Sequence, residues 1–359
     1  MKPIRTLFFA CTLLLPLGAR ADFPKLDISG NVWGQWAYDL SFAHPDSPNR
    51  GGTNRFEVTR TYVNFRARLS ESISLRITPD LVAATGTDGS LDGSLVLRLK
   101  YAYVTFDALP GLSVQALMQP TPYIGFSDGI WGYRVLGSDI LEHFTGVRSS
   151  DVGLAVFGQP VGKFLDYQVL ASNGEGYNRQ ESSDPDVGKY KDLAARLTLA
   201  PLAEAGPMLR SLELTVFGQY GIRERVPGLG AHLERIRAMA LATWNAPGIT
   251  LGAGGGWAGD DRIEEERVER LESFLWTSWG WVDLPLGLRA IGRFDLDSPT
   301  RSDVDDVGRR TRLIAGLAYL FTDDVQVIAN WERNGAQRPE NGPLSARSDS
   351  LFLRVAAEF

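Results

Sequence analysis

Apolar side chains recur at every second position in segments of about ten residues, and this period of two continues to the last residue of the chain. Thr61, Val63, Phe65, Ala67 and Leu69 share one face, with Arg60, Asn64, Arg66 and Arg68 on the other. Leu95, Leu97, Leu99, Tyr101 and Tyr103 repeat the pattern against Arg98 and Lys100; Leu193, Ala195, Leu197 and Leu199 repeat it against Asp192, Arg196 and Thr198. Successive strand side chains point to opposite faces, so each segment reads as a strand with one apolar and one polar side.

A soluble sandwich would share that alternation, and the connections decide against it. Tight ones at 70–71, 107–111, 159–163, 245–248, 283–286 and 322–324, with a somewhat longer one at 201–210, alternate strictly with long polar ones. The long ones are 41–54, 84–94, 120–149, 173–189, 222–231, 257–267, 297–309 and 334–348. Short turns on one rim and long loops on the other mark a closed antiparallel transmembrane β-barrel, here of about sixteen strands, with both ends of the mature chain on the short-turn rim.

The amino terminus fits an exported protein. Lys2 and Arg5 precede an apolar run from Leu7 to Leu17 and the small-residue pattern Ala19-Arg20-Ala21, which predicts a signal peptide over 1–21 and a barrel over 22–359. The apolar run is about half the roughly 20 residues that a helical span needs. The one cysteine, Cys11, lies in this leader, so the mature chain is expected to use no disulfide, thiolate site or cysteine nucleophile. With 43 acidic against 37 basic residues, nucleic acid is not an expected partner.

The last segment, Leu351, Leu353, Val355, Ala357 and Phe359, alternates to the terminus and ends on an aromatic. Phe359 therefore reads as the terminal signal that barrel assembly machinery recognises. Trp33, Trp36, Tyr38, Trp276, Trp279, Trp281, Tyr319 and Trp331 fall near segment ends, where amphipathic rings favour the bilayer interface.

A barrel of this size leaves an aqueous lumen, whereas one of about eight strands is filled by side chains. What narrows and charges the lumen then sets function. The longest connection, 120–149, contains Ile130, Trp131, Tyr133 and Phe144, too much apolar surface for a free loop, and is the candidate constriction. It carries Asp128, Arg134, Asp139, Glu142 and Arg148. The polar faces of the second to fourth strands supply a basic wall of Arg60, Arg66, Arg68, Arg76, Arg98 and Lys100, with Asp80 the main nearby acid. A narrow passage focuses such fields, so this wall predicts a lean toward anions although the whole chain is acidic.

The acidic run Asp260, Asp261, Glu264, Glu265, Glu266, Glu269 and Glu272 reads first as a solvated charged rim, with divalent cations bridging lipopolysaccharide as the alternative. Only His44, His143 and His232 exist, in or near three different long loops and beside no nucleophile motif. A barrel enzyme, like a receptor or adhesin barrel, is thus the lesser reading, and neither cofactor, metal nor catalytic residue is expected.

Four stretches resemble the phosphate-selective porin O and P family: FEVTRTYVNFRARL at 56–69, LKYAYVTFDALPGL at 99–112, YQVLASNGEGY at 167–177 and YKDLAARLTLAP at 190–201. The likeness covers most of the first 200 residues. It implies a sixteen-stranded homotrimeric outer-membrane porin that passes small solutes, anionic ones by preference, among outer-membrane lipid and lipopolysaccharide. Members that bind phosphate carry a dense basic ladder into the third long loop; here that loop holds Arg134 and no lysine between Pro120 and Arg148.

Overall fold

The computed structural model describes residues 24–43, 51–83, 93–177, 189–206, 208–225, 232–264, 267–301, 308–337 and 344–359. The leader at 1–21 and His44 lie outside them. Strands β1 (Lys25–Ala43), β2 (Asn54–Arg68), β3 (Ile73–Ala83), β4 (Leu95–Leu109) and β5 (Leu112–Pro120) precede a helical insertion. Then follow β6 (Ser150–Gly158), β7 (Leu165–Ser172), β8 (Asp192–Leu199), β9 (Leu212–Arg225), β10 (His232–Ala246) and β11 (Ile249–Glu264). The set is completed by β12 (Arg267–Asp283), β13 (Leu288–Arg301), β14 (Arg310–Leu320), β15 (Val325–Gln337) and β16 (Leu344–Glu358). Each strand pairs antiparallel with its sequence neighbour and β16 returns to β1, so the sheet has no free edge.

Closure is tight at the terminus. Gly30 N–H donates to the Phe359 carbonyl at 2.8 Å, and Phe359 N–H to the Gly30 carbonyl at 3.0 Å. A Cβ at Gly30 would stand 2.6 Å from the Phe359 ring and 2.4 Å from the Tyr62 carbonyl, so only glycine lets the ring lie there.

The alternation sets what faces lipid. Along β8 the even positions Asp192, Arg196 and Thr198 are buried inside, while Leu193 and Leu197 are exposed outside. Phe65, Leu97, Leu99, Leu353 and Val355 are likewise exposed on the outer wall, and Val63 shares the face of Phe65. With no water to satisfy backbone groups in the bilayer core, this closed sheet with an apolar exterior is a structure built for a membrane.

Three expectations are corrected. Tyr101 and Tyr103 do not continue the outer face of Leu95, Leu97 and Leu99. The β3–β4 register shifts between Thr78 and Pro79, leaving Lys100 as an extra residue opposite them, and Tyr101 turns inside with 8% of its surface exposed. Proline cannot donate to the ladder, and a bulge absorbs the missing bond while reversing which face follows. The connection at 257–267 is mostly strand: β11 and β12 pair as far as Glu264 with Arg267. Asp260, Asp261, Glu269 and Glu272 therefore stand on strands, and Glu265 and Glu266 lie outside the described residues. Of the aromatics, Trp33 and Trp279 are buried in the lumen core, where Trp281 packs too, whereas Trp276 and Tyr319 are exposed on the outer wall.

Candidate functional site

The segment 120–149 lies inside the barrel. It folds as α1 (Ile124–Trp131), a 3₁₀ turn (Arg134–Leu136) and α2 (Ile140–Thr145). Gly132 and Gly146 end the two helices at φ 72° and 69°, a left-handed conformation that glycine adopts without strain. Its apolar face packs on one wall: Tyr123 against Phe217 (5.1 Å between centroids) and Trp131 against Trp279 (5.3 Å). Tyr123, Ile124, Trp131, Leu136, Ile140 and Leu141 are almost wholly buried there. Burying such side chains contributes roughly 1.5–3 kcal/mol each, enough to fix a segment of this size.

A set of arginines fastens the same side. Arg196 donates to the Pro122 carbonyl at 2.9 Å, Arg312 to Ser138 at 2.6 Å, Arg310 to Phe144 at 2.9 Å, and Arg354 to Val135. Arg289 reaches the Tyr133 hydroxyl at 3.3 Å. These cations are neutralised from the wall itself. Asp295 accepts from Arg293 at 2.8 Å and from Arg312 at 2.5 Å, Asp297 pairs with Arg310, Asp260 with Arg237, Asp166 with Arg196, and Glu332 with Arg354. The sequence reading missed this array. Its signal is present in the strands: Arg293, Asp295 and Asp297 on β13, and Arg310 and Arg312 on β14, occupy alternate positions of one face.

The opposite face of the segment looks toward β2–β4. Asp80, with no exposed surface, joins Arg60 at 3.3 Å and Arg98 at 2.9 Å. Lys100 donates to the Tyr62 hydroxyl at 2.7 Å and lies 4.5 Å from that ring's centre. Arg76 is held by Asn64 Oδ1 at 2.6 Å, by Thr78 Oγ1 at 3.0 Å and by the Tyr101 ring at 4.7 Å. Among the described residues, neither Lys100 nor Arg76 has a carboxylate within 4 Å. Arg66 and Arg68 share the inward face but stand at the short-turn rim, where Arg68 bonds the Ser70 and Glu71 carbonyls and Arg66 faces Asp27 at 3.8 Å.

From the loop, Arg134 binds Asp128 at 2.6 Å and also Glu142. Burial is the main influence on the Asp128 carboxyl, whose pKa is pushed up to about 6 against the pull of Arg134. Asp139 departs from expectation. Its Oδ1 accepts the Leu141 N–H at 2.9 Å, capping α2, and its Oδ2 accepts from Ser127 at 2.8 Å, so it holds the loop together rather than facing the basic wall. Arg148 is exposed at the loop's exit.

Water-accessible space lies on both sides of the segment. A cavity of about 470 Å³ opens on the long-loop side, lined by Arg148, Glu175, Arg235, Arg262 and Asp297 among others. One of about 560 Å³ opens on the short-turn side, lined by Lys25, Arg66, Arg68, Arg76 and Tyr103 among others.

No family model and no curated protein sequence matches the chain. Solved structures match its fold. The outer membrane channel DcaP of Acinetobacter baumannii superposes with a TM-score of 0.67 at 12% identity, over 95% of this chain and 99% of that one. An anion-selective porin from Comamonas acidovorans gives 0.64 at 10% identity, over 94% and 100%. OprB of Pseudomonas putida gives 0.61 at 10%, over 93% and 94%. Identities this low carry the fold alone. That fold is the sixteen-stranded barrel of outer-membrane porins, and with its apolar outer wall it belongs in the outer membrane of a bacterium.

Proposed function

We propose that this chain is a porin: a passive, water-filled channel for small solutes, constricted by 120–149 and leaning toward anions. The observation that carries the reading is the pinned helical segment crossing the lumen with an aqueous cavity on either side. Five cations at that level, Arg60, Arg76, Arg98, Lys100 and Arg134, face three carboxylates, Asp80, Asp128 and Glu142. The anion preference rests on that excess, and the resemblance to phosphate-selective porins agrees with an anion of some kind. Phosphate itself is the narrower reading, supported by the resemblance in the first 200 residues. Recognition of Phe359 by the barrel assembly machinery and association of the folded barrel as a homotrimer complete the proposal.

Single-channel recording in a planar bilayer tests the channel and its constriction together. The native chain should give stable ohmic steps, and deletion of 125–139 should raise conductance. Unchanged conductance in a correctly folded deletion variant would place the constriction elsewhere.

A further inference from the structure

The outer wall carries two ion clusters toward the long-loop rim. In the first, Arg270 donates to Asp261 at 2.7 Å and to Glu234 at 3.0 Å, and the Tyr220 hydroxyl donates to Glu234 at 2.8 Å. One guanidinium serves two carboxylates there, and its charge is spent. The second cluster, at the β15–β16–β1 seam, has the opposite balance. Asp349 accepts Nε–H from both Arg333 and Arg347 at 2.7 Å, and the Ser41 hydroxyl at 3.1 Å.

These side chains face outward. Asp349 shares a face with Leu351, Leu353 and Val355, all exposed, whereas Arg354 and Ala356 are buried inside. Arg333 pairs directly across from Asp349 and lies over the outward Trp331 ring at 4.9 Å. A shared carboxylate thus holds two guanidinium groups side by side with one net positive charge. Both remain well exposed, at 40% and 38%.

Height fixes what meets them. Asp349 stands ten residues before Phe359. At about 3.3 Å per residue and a tilt of about 40°, that segment climbs about 25 Å, the height of a barrel's apolar belt. The two arginines therefore lie at the outer headgroup plane, directly above an apolar strip of Trp331, Leu351 and Leu353. Guanidinium forks match phosphate oxygens bidentately, and such a pair above an apolar strip suits an amphiphile with a phosphorylated head.

We propose that this seam binds a phosphorylated glycolipid of the outer leaflet, its phosphate bridging Arg333 and Arg347 and its acyl chains lying along Leu351 and Leu353. The proposal goes beyond the channel reading and does not depend on it.

Native mass spectrometry of the full chain in non-ionic detergent, titrated with bisphosphorylated hexa-acyl lipid A and with the same lipid dephosphorylated, tests it. The phosphorylated lipid should be retained at least tenfold better. The double variant Arg333→Gln/Arg347→Gln should lose that advantage, since charge-assisted hydrogen bonds of this kind are each worth about tenfold or more in binding. Arg270→Gln, which removes an outward arginine from the acidic cluster, should leave retention unchanged. If the double variant does not give the folded, heat-modifiable band, Arg347→Gln alone should still weaken binding severalfold. Equal retention of the two lipids by the native chain, or undiminished retention by the seam variants, would overturn the site. Displacement of the lipid by millimolar inorganic phosphate would overturn it as well, by assigning the arginines to a free anion. Conductance of the seam variants should equal that of the native chain, so failure here and failure of the channel reading are separately visible.

Discussion

The carboxyls at Asp128 and Asp295 show how burial divides charge between function and stability. Asp128 Oδ2 accepts from Arg134, while its Oδ1 has no hydrogen-bond partner among the described residues. Burial raises its pKa to about 6, so the group is ionised at pH 7 and takes a proton as the pH falls through 6. Arg134 keeps Glu142 as its partner through that change. Acidification from pH 7 to 5 should therefore remove one negative charge from the constriction and strengthen anion preference. A unit charge about 6 Å from a passing ion in water is worth roughly 0.7 kcal/mol, or about threefold in local concentration. Reversal potentials across a potassium chloride gradient should show the step, and Asp128→Asn should abolish it while matching the native chain at pH 5. Asp295 has the structural part. Among the described residues it is the one carboxylate that pairs with Arg293 and Arg312, both about 2% exposed. Asp295→Asn would strand two buried cations at a cost of about 3–5 kcal/mol. Thermal unfolding in detergent should move to markedly lower temperature, and the loop anchored through Arg312 should give noisier open-channel current.

At the scale of elements, strand number, pairing order and the alternation of β8 and β16 were legible in the sequence because membrane strands repeat one simple pattern. The failures came where that pattern is interrupted. Pro79 sits on β3, yet the face it reverses belongs to β4, so reading β4 alone carries Leu95–Leu99 straight on to Tyr101. Likewise the charged stretch of β11 and β12 looks like loop because charges are common in loops; here Asp261 meets Arg270 across the pair, and such cross-strand pairing keeps a charged hairpin in strand form. Depth along β4 matters as well as face. Leu97 lies twelve residues from Leu109, the short-turn end of β4, which at about 3.3 Å per residue and a tilt of about 40° puts it about 30 Å up, at the outer interface. Val104, on the outer face past the bulge, lies near the midplane. Val104→Arg should cost roughly 2–4 kcal/mol and Leu97→Arg at most about 1. Folding yields into lipid vesicles, compared for the two, check both the face assignment and the depth.

For the molecule as a whole, the question is which of many charges a permeating ion meets unpaired. The basic residues of β2–β4 were readable from alternation, but the arginines of β8, β13, β14 and β16 were not singled out, because nothing local in a strand says that a loop 74 to 219 residues away will lie on it. Those arginines are matched by wall carboxylates and loop carbonyls, so their charge is largely consumed in holding the segment. At the short-turn rim Lys25, Arg66 and Arg68 line the cavity together with Asp27, Glu71 and Asp107, and Arg66 faces Asp27 at 3.8 Å. Beside the constriction, Arg76 and Lys100 have no carboxylate within 4 Å among the described residues, and Asn64, Thr78 and the Tyr62 and Tyr101 rings hold them there. The wild-type channel should thus pass chloride more readily than potassium, although the chain carries a net charge of −6. Exposed outer charges are screened over about 3 Å at 1 M salt against about 10 Å at 0.1 M, while charges lining a narrow lumen stay within reach of the ion. Anion preference should therefore persist from 0.1 to 1 M potassium chloride. Arg76→Gln and Lys100→Met should each lower the chloride-to-potassium permeability ratio by about threefold, and together bring it to unity or below. Arg66→Ser and Arg68→Ser at the rim should change it little at 1 M. A rim pair that controls selectivity while Arg76 and Lys100 do not would mean that the ion is chosen at the mouth of the barrel rather than beside 120–149.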